Sequence, residues 1–248
     1  MLQSKGFEIT GFDPTYEGEN PSVQKHYFEH GVAVQANGIV LRHVLEHIQD
    51  PISFLQGLKN ANNRKGKIYI EVPCFDWICE HNIWFDIFYE HVNYFRESDF
   101  RRIFGSVIET GKLFGGQYIY VVAELGSVKE PQFDANDQVA FSIETNRSIA
   151  VHKGTEQNKV AVWGGASKGV IFALLRNRNG YPVDLIIDIN PSKQGKYLPA
   201  TGLLVCSPED ALAKLPESST IFVMNSNYMH EVKGLSNNAY QYIGIDYV

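Results

Sequence analysis

Residues 160–169 read VAVWGGASKG, a short apolar run that passes directly into a glycine-rich turn. An apolar stretch typical of a helix follows at residues 170–176, and a second strand is predicted over residues 183–187. That strand ends at Asp188, 24 positions after Gly164. The order of strand, glycine-rich turn, helix and strand with a terminal acid is typical of a Rossmann-like unit that binds a dinucleotide.

The glycine pattern of this turn departs from the dinucleotide fingerprint. Ala166 occupies the second glycine position, where the backbone must approach a pyrophosphate closely. Lys168 could add positive charge at the helix N-terminus and favour a phosphate group there. Two interpretations stay open, a phosphate-binding turn and a tight strand-to-helix turn that binds nothing.

The chain before this unit also alternates between strand and helix patterns. Strands are predicted over residues 7–12, 38–41, 67–72, 107–109 and 117–123, with helices over 51–60 and 98–104. Later strands are predicted over residues 203–205, 221–224 and 242–245. Because strand and helix alternate, we expect mostly parallel sheets. We predict two α/β domains, residues 1–128 and 159–248, joined by a connecting helix and linker at 129–158 with the helix over 134–152.

The composition excludes several classes of function. The 248 residues carry 22 Lys and Arg against 28 Asp and Glu, a formal charge of −6, which disfavours a nucleic-acid partner. No apolar run approaches the roughly 20 residues of a membrane helix, and the N-terminus lacks a secretory signal pattern. Three cysteines are too few for a four-cysteine zinc site or a disulfide framework. We therefore expect a cytoplasmic protein without a membrane partner.

Two motifs in the first half could belong to a cofactor cleft. In GFDP, residues 11–14, Asp13 follows a predicted strand and could accept hydrogen bonds from a ribose diol, or it could simply begin a turn before proline. Residues 43–47 read HVLEH, the H-x-x-E-H pattern of one class of zinc protease. Since His43 directly follows a strand, the two histidines do not share the face of one helix. We therefore favour a loop that lines a cofactor cleft and expect no metal site.

Residues 84–95 read WFDIFYEHVNYF and contain the densest group of titratable side chains. Acid, imidazole and phenol among aromatic residues are typical of a partly dry site for proton transfer. His91 is the best candidate for a general base, because imidazole titrates near neutral pH. The alternative is an aromatic core segment in which Glu90 and His91 satisfy buried backbone groups.

Together these segments resemble class I S-adenosylmethionine-dependent methyltransferases, in particular the multidomain sugar C-methyltransferase type. The resemblance covers nearly the whole chain. It rests on the strings GFDP at 11–14, HVLEHI at 43–48 with DP at 50–51, IEVP at 70–73, YEHVNYF at 89–95, VWGGASKG at 162–169 and IDINPSKQG at 187–195.

The resemblance implies a role for particular residues. S-adenosyl-L-methionine would be held by Asp13 at its ribose and by the loop residues Leu41, Arg42, His43 and Leu45. His91, with Glu90 and Tyr89, would take a proton from a sugar carbon beside a ketone. The second domain would contact the nucleotide-linked sugar through Gly165, Ser167, Lys168, Asp188, Asn190 and Lys193.

Three departures from the family's pattern modify this interpretation. The family's N-terminal four-cysteine zinc module is absent from the sequence, and Phe88 stands where the family often has tyrosine. The glycine-rich donor loop should precede Asp13 by about 20 residues, but only 12 residues precede it. We therefore predict an incomplete Rossmann-like methyltransferase sheet, truncated at its N-terminus, followed by a smaller Rossmann-like domain. Donor binding is expected to be weak unless the missing part is supplied.

The resemblance favours a methyltransferase that acts on a nucleotide-linked sugar or a related precursor in polysaccharide synthesis. Two alternatives remain, a non-catalytic module that binds a nucleotide sugar and an NAD(P)-dependent oxidoreductase that uses the turn at residues 164–169. A homodimer partner or a complementing N-terminal fragment is also compatible with the sequence.

Overall fold

The computed structural model of the protein describes residues 3–28, 33–139 and 151–245. The strands in these ranges are β1 (Gly11–Phe12), β2 (Val23–Gln24), β3 (Gly38–Arg42), β4 (Lys67–Pro73), β5 (Val107–Leu113), β6 (Tyr118–Glu124), β7 (Val160–Trp163), β8 (Leu185–Ile187), β9 (Val205–Cys206), β10 (Thr220–Val223) and β11 (Gln241–Gly244). The α-helices are α1 (Pro51–Ala61), α2 (Phe75–Glu80), α3 (Glu97–Ile103), α4 (Ser167–Arg178), α5 (Pro208–Leu212) and α6 (Met229–Leu235). This mixed α/β architecture confirms the predicted Rossmann-like fold class.

The first large sheet has the strand order β3-β4-β6-β5. Only β3 and β4 are parallel, whereas β6 runs antiparallel to both β4 and β5. The expectation of a mostly parallel sheet was therefore wrong here. The reason is local, because Gly115 and Gly116 adopt positive φ angles of 66° and 100° in the short turn between β5 and β6 and allow a hairpin.

The N-terminal strands stand apart from this sheet. The strand predicted over residues 7–12 is reduced to β1, which pairs in parallel with β2 through Gly11 and Val23. Strand β3 lies at the edge of the four-stranded sheet, and Val40 on it is 54 % exposed. The predicted truncation and the predicted domain boundaries stay predictions.

The second large sheet is fully parallel and has the order β11-β10-β7-β8-β9. All four residues of the central strand β7 are buried, as expected for an apolar run covered on both faces. Helix α4 begins directly after the glycine-rich turn. Most of the connecting helix predicted over residues 134–152 falls on residues 140–150, which lie outside the described ranges.

Direct contacts join the parts of the chain that carry the two large sheets, one of them through α4. The rings of Phe85 and Phe172 pack edge to face with centroids 5.6 Å apart. The amide of Gln117 donates a hydrogen bond of 3.3 Å to the side-chain oxygen of Asn225. Within the described ranges, no helix has the length and apolar composition needed to cross a membrane. The cleft described next lies between these two sheets.

Candidate functional site

A cleft of about 430 Å³ opens where the carboxyl ends of β3, β7 and β10 meet. This is the edge at which α/β sheets commonly bind ligands. From the first sheet's side it is lined by His43, Glu46, His47, Pro73, Asp86, Phe88, His91 and Tyr118. From the second it is lined by Trp163, Gly164, Ala166, Ser167, Lys168, Gly169, Asp188, Ile189, Val223, Met224, Asn225, Tyr228, Glu231, Val232 and Leu235.

The turn after β3 carries His43 and Glu46 into the cleft. His43 has a left-handed backbone, with φ at 51°, and Leu45 is fully buried, which anchors the short 3-10 turn Leu45–His47. Glu46 is only 1 % exposed although it lines the cleft. The turn therefore places a desolvated carboxylate at the wall of the cleft.

His43 lies between two carboxylates. Its Nδ1 is 3.5 Å from Oε1 of Glu46 and its Nε2 is 3.2 Å from Oε1 of Glu71. The interaction with Glu46 is the main reason that the pKa of His43 is raised above its usual value. Arg42 donates two hydrogen bonds of 3.0 Å to Glu71 and holds the pKa of that carboxyl low. Two basic side chains, Arg42 and His43, and two carboxylates, Glu71 and Glu46, are therefore linked in one chain of ion pairs at this wall of the cleft.

His91 is half-buried in the cleft. Its ring packs against Phe88 with centroids 4.1 Å apart and against His47 with centroids 4.9 Å apart. Burial lowers the pKa of His91, so the neutral imidazole is favoured near neutral pH. The backbone N–H groups of Val92 and Asn93 donate to the carbonyl of Glu46, at 2.9 and 3.1 Å, and fix this segment to the turn after β3.

Tyr89 and Glu90, which precede His91 in the chain, do not line the cleft. Tyr89 is 86 % exposed, and its hydroxyl donates a 3.1 Å hydrogen bond to Oε1 of Glu90. The other carboxylate oxygen of Glu90 accepts a 3.1 Å hydrogen bond from the hydroxyl of Ser167 at the start of α4. Among the three predicted catalytic residues, only His91 lines the cleft, while Glu90 links it to the second sheet. The catalytic roles themselves stay predictions.

Asp188, which follows β8, already accepts hydrogen bonds from groups of the protein. The backbone N–H groups of Gly165 and Asn190 donate to the carboxylate of Asp188, both at 2.9 Å, and Nζ of Lys193 lies 3.1 Å away. An NAD site needs this position for the ribose hydroxyls. The arrangement disfavours the oxidoreductase alternative. Of the six residues predicted to contact substrate, Ser167, Lys168 and Asp188 line the cleft, whereas Gly165, Asn190 and Lys193 do not.

Lys168 forms an ion pair across the cleft, with its Nζ 2.8 Å from Oδ2 of Asp86. The side chain of Asp86 is 8 % exposed and that of Lys168 22 %. We expect Lys168→Met to lower the free energy of unfolding by about 2 kcal/mol, because it leaves a nearly buried carboxylate without its partner. Urea unfolding followed by circular dichroism measures this loss. Adding Asp86→Asn should recover most of it, and equal stability of the single and double variants would contradict the pairing.

The residues expected to hold a methyl donor are not brought together. Asp13 accepts hydrogen bonds from the backbone and hydroxyl of Thr15, at 2.9 and 2.8 Å, in a local turn. The side chains of Leu41 and Leu45 belong to the hydrophobic core, and Arg42 is engaged by Glu71. Only His43 of the five predicted donor residues lines the cleft. The described residues therefore do not assemble the expected donor site.

Several cleft residues were not singled out in the sequence. Tyr118 begins β6, and burial raises the pKa of its hydroxyl. Asn225 and Tyr228 follow β10 at the cleft edge of the parallel sheet. Their position after a buried strand is a pattern that could have identified them. Tyr118 offers no such pattern, because it lies at the beginning of a strand in a hairpin.

The chain matches two known protein families. The family described as "Methyltransferase domain" matches residues 1–107. The family described as "C-methyltransferase C-terminal domain" matches residues 134–243. No curated protein matches the chain. With the Rossmann-like fold, these two matches show that the protein is a methyltransferase whose C-terminal part is similar to the C-terminal domain of C-methyltransferases.

Proposed function

We propose that the protein transfers a methyl group from S-adenosyl-L-methionine to a carbon atom of a nucleotide-linked keto sugar. The observation that carries the proposal is the half-buried imidazole of His91 in the cleft between the two matched parts. The second match, to a C-methyltransferase domain, supports carbon as the methylated atom. A role in cytoplasmic polysaccharide synthesis belongs to the same proposal.

The first step assigned to His91 is removal of a proton from the acceptor carbon beside the ketone. A neutral imidazole is needed for this, and burial of His91 favours that form. Negative charge then develops on the ketone oxygen. Tyr118 lines the same cleft and stays protonated because burial raises its pKa, so its hydroxyl is available to donate a hydrogen bond to that oxygen.

We assign the diphosphate of the acceptor to the N-terminus of α4. The capping residue Ala166 has no side-chain hydrogen bond to the first turn, so backbone N–H groups remain for a ligand. Ala166 and Ser167 both line the cleft. The helix dipole favours negative charge at this position. The acceptor would thus extend from the turn at 164–166 towards His91.

S-adenosyl-L-methionine is the donor that methyltransferase domains of this type typically use. Among the described residues, the five expected to hold this donor do not meet at the cleft, where only His43 lies. The dependence on the donor is open to direct measurement. Isothermal titration calorimetry of the chain with S-adenosyl-L-methionine tests it, and micromolar binding would contradict the predicted weakness of the donor site.

The acceptor class is tested by incubating the protein with methyl-labelled S-adenosyl-L-methionine and a panel of nucleoside-diphosphate sugars, with and without a ketone. We expect label only in keto sugars, and NMR should place the new methyl group on a carbon next to the ketone, which the product retains. Label on an oxygen atom would overturn carbon methylation. Equal label in sugars without a ketone would overturn proton abstraction as the first step.

A further inference from the structure

Three possible metal ligands meet at one wall of the cleft. Glu46 and His47 come from the turn after β3, and His91 comes from 44 residues further along the chain. Each residue offers one ligand atom, a histidine nitrogen or a carboxylate oxygen, and these three atoms lie within 4.8 Å of one another. Two histidines and one glutamate with an open fourth position are a typical ligand set for zinc in an accessible site. The open position here faces the cleft, which all three residues line.

Three polar atoms of this cluster, in Glu46 and His91, lack hydrogen-bond partners among the described residues. Within the described ranges, neither carboxylate oxygen of Glu46 accepts a hydrogen bond, although the residue is 99 % buried, and its nearest cation is the imidazole of His43 at 3.5 Å. Nδ1 of His91 is also buried without a partner in the described chain. A buried carboxylate without donors is unfavourable unless a cation neutralises it. The geometry therefore leaves lone pairs of two side chains available to a cation.

His47 is oriented as a ligand. Its Nδ1 lies 2.7 Å from the carbonyl oxygen of Glu90, to which it donates its proton, so Nε2 keeps a free lone pair. Metal-binding histidines commonly donate their second nitrogen to a carbonyl or carboxylate in this way. The backbone hydrogen bonds from Val92 and Asn93 to Glu46 hold the two ligand-bearing segments together.

The separations suit a small cation after a modest movement of side chains. Ligands about 2.0–2.1 Å from zinc in a tetrahedron lie about 3.4 Å from each other. The ligand atoms here lie within 4.8 Å of one another, so no pair has to close by more than about 1.4 Å. Because His47 is exposed, its ring can tilt by this small amount about its Nδ1 hydrogen bond to Glu90.

We propose that Glu46, His47 and His91 bind one divalent transition metal ion of the zinc class at the wall of the cleft. The sequence had suggested the H-x-x-E-H string as a metal motif, but with His43 as a ligand. In the structure His43 is engaged by two carboxylates, and His91 takes the third ligand position. The proposed site therefore replaces the expectation that the protein binds no metal.

The metal would have a consequence for catalysis that rests on the proposed function. A metal ion on the imidazole of His91 uses the lone pair that would otherwise accept the proton of the acceptor. The metal-bound and base-competent forms thus exclude each other. Zinc is expected to inhibit methyl transfer at concentrations near its dissociation constant.

The binding test needs neither donor nor acceptor. The metal-free chain is titrated with Zn²⁺ by calorimetry and with Co²⁺ by visible absorption, in the wild type and in Glu46→Gln and His47→Gln. We expect one equivalent bound, the intense visible bands of tetrahedral Co²⁺, and at least about a 10-fold weaker affinity in each variant. His81→Gln is the matched control, because His81 packs on Trp77 away from the cluster and should bind like the wild type. Circular dichroism verifies the fold of each variant.

Two results would overturn the proposal. Wild-type zinc affinity in both Glu46→Gln and His47→Gln would place the metal elsewhere, and no binding by the folded wild type would remove the site. Zinc binding with undiminished methyl transfer would overturn the inhibitory role. Since binding is measured without substrates, failure of the metal site and failure of the proposed methyl transfer are distinguishable.

Discussion

Replacement of His91 by glutamine is expected to lower kcat for methyl transfer by roughly 10³-fold, the usual contribution of a general base. Glutamine keeps a polar side chain of similar length packed against Phe88, but it has no basic nitrogen at neutral pH. The affinity for S-adenosyl-L-methionine should stay within a few-fold of the wild type, because His91 acts on the acceptor. Single-turnover kinetics with labelled donor and calorimetry of donor binding measure the two quantities separately.

The matched control is again His81→Gln. His81 stacks on Trp77 with ring centroids 4.7 Å apart and does not line the cleft. Its variant should keep the wild-type kcat. Unchanged turnover in His91→Gln would remove His91 from the mechanism, and a parallel loss in both variants would show that any histidine change disturbs the fold.

Replacement of Gly169 by alanine is expected to destabilise the second sheet by about 3 kcal/mol. Gly169 lies in the first turn of α4, and a Cβ there would collide with the backbone carbonyl oxygen of Gly164. Backbone cannot rotate aside as a flexible side chain does, so the helix must move away from β7. Thermal and urea unfolding followed by circular dichroism measure the loss.

Gly234→Ala in α6 is the control, because it introduces the same substitution into a helix at a position with free space. A Cβ at Gly234 meets no atom within 4 Å, and the residue lies inside a helix. This variant should gain up to about 1 kcal/mol, because alanine loses less backbone entropy than glycine in a helix. Equal stability of Gly169→Ala and the wild type would contradict the close packing of α4 on the glycine-rich turn.

The second sheet was the most predictable part of the fold. Its central strand is a continuous apolar run, and the glycine-rich turn and Asp188 follow at Rossmann-like spacing. Because these patterns involve residues close together in the chain, they can be recognised from the sequence without the structure. The first sheet was less predictable, because its strand directions depend on the hairpin at Gly115 and Gly116, whose positive φ angles were not anticipated.

The site was predictable only in part. The composition around His91 pointed to this residue as a candidate general base, and the structure places it in the cleft. The expected donor residues were inferred from the resemblance to methyltransferases, and Asp13 also from its position after a predicted strand. Asp13 is instead held in a turn by Thr15, because β1 pairs with β2 and not with the four-stranded sheet.

The sequence by itself determined the α/β class and the Rossmann-like second unit, because strand periodicity and glycine spacing are properties of neighbouring residues. It also singled out His91 by its side-chain type, and the catalytic role of that residue stays a prediction. Only the tertiary structure decided which groups share the cleft. It pairs Lys168 with Asp86 and brings His91 to Glu46. Such contacts join residues far apart in the chain, and their selection depends on how the sheets pack and not on any local pattern.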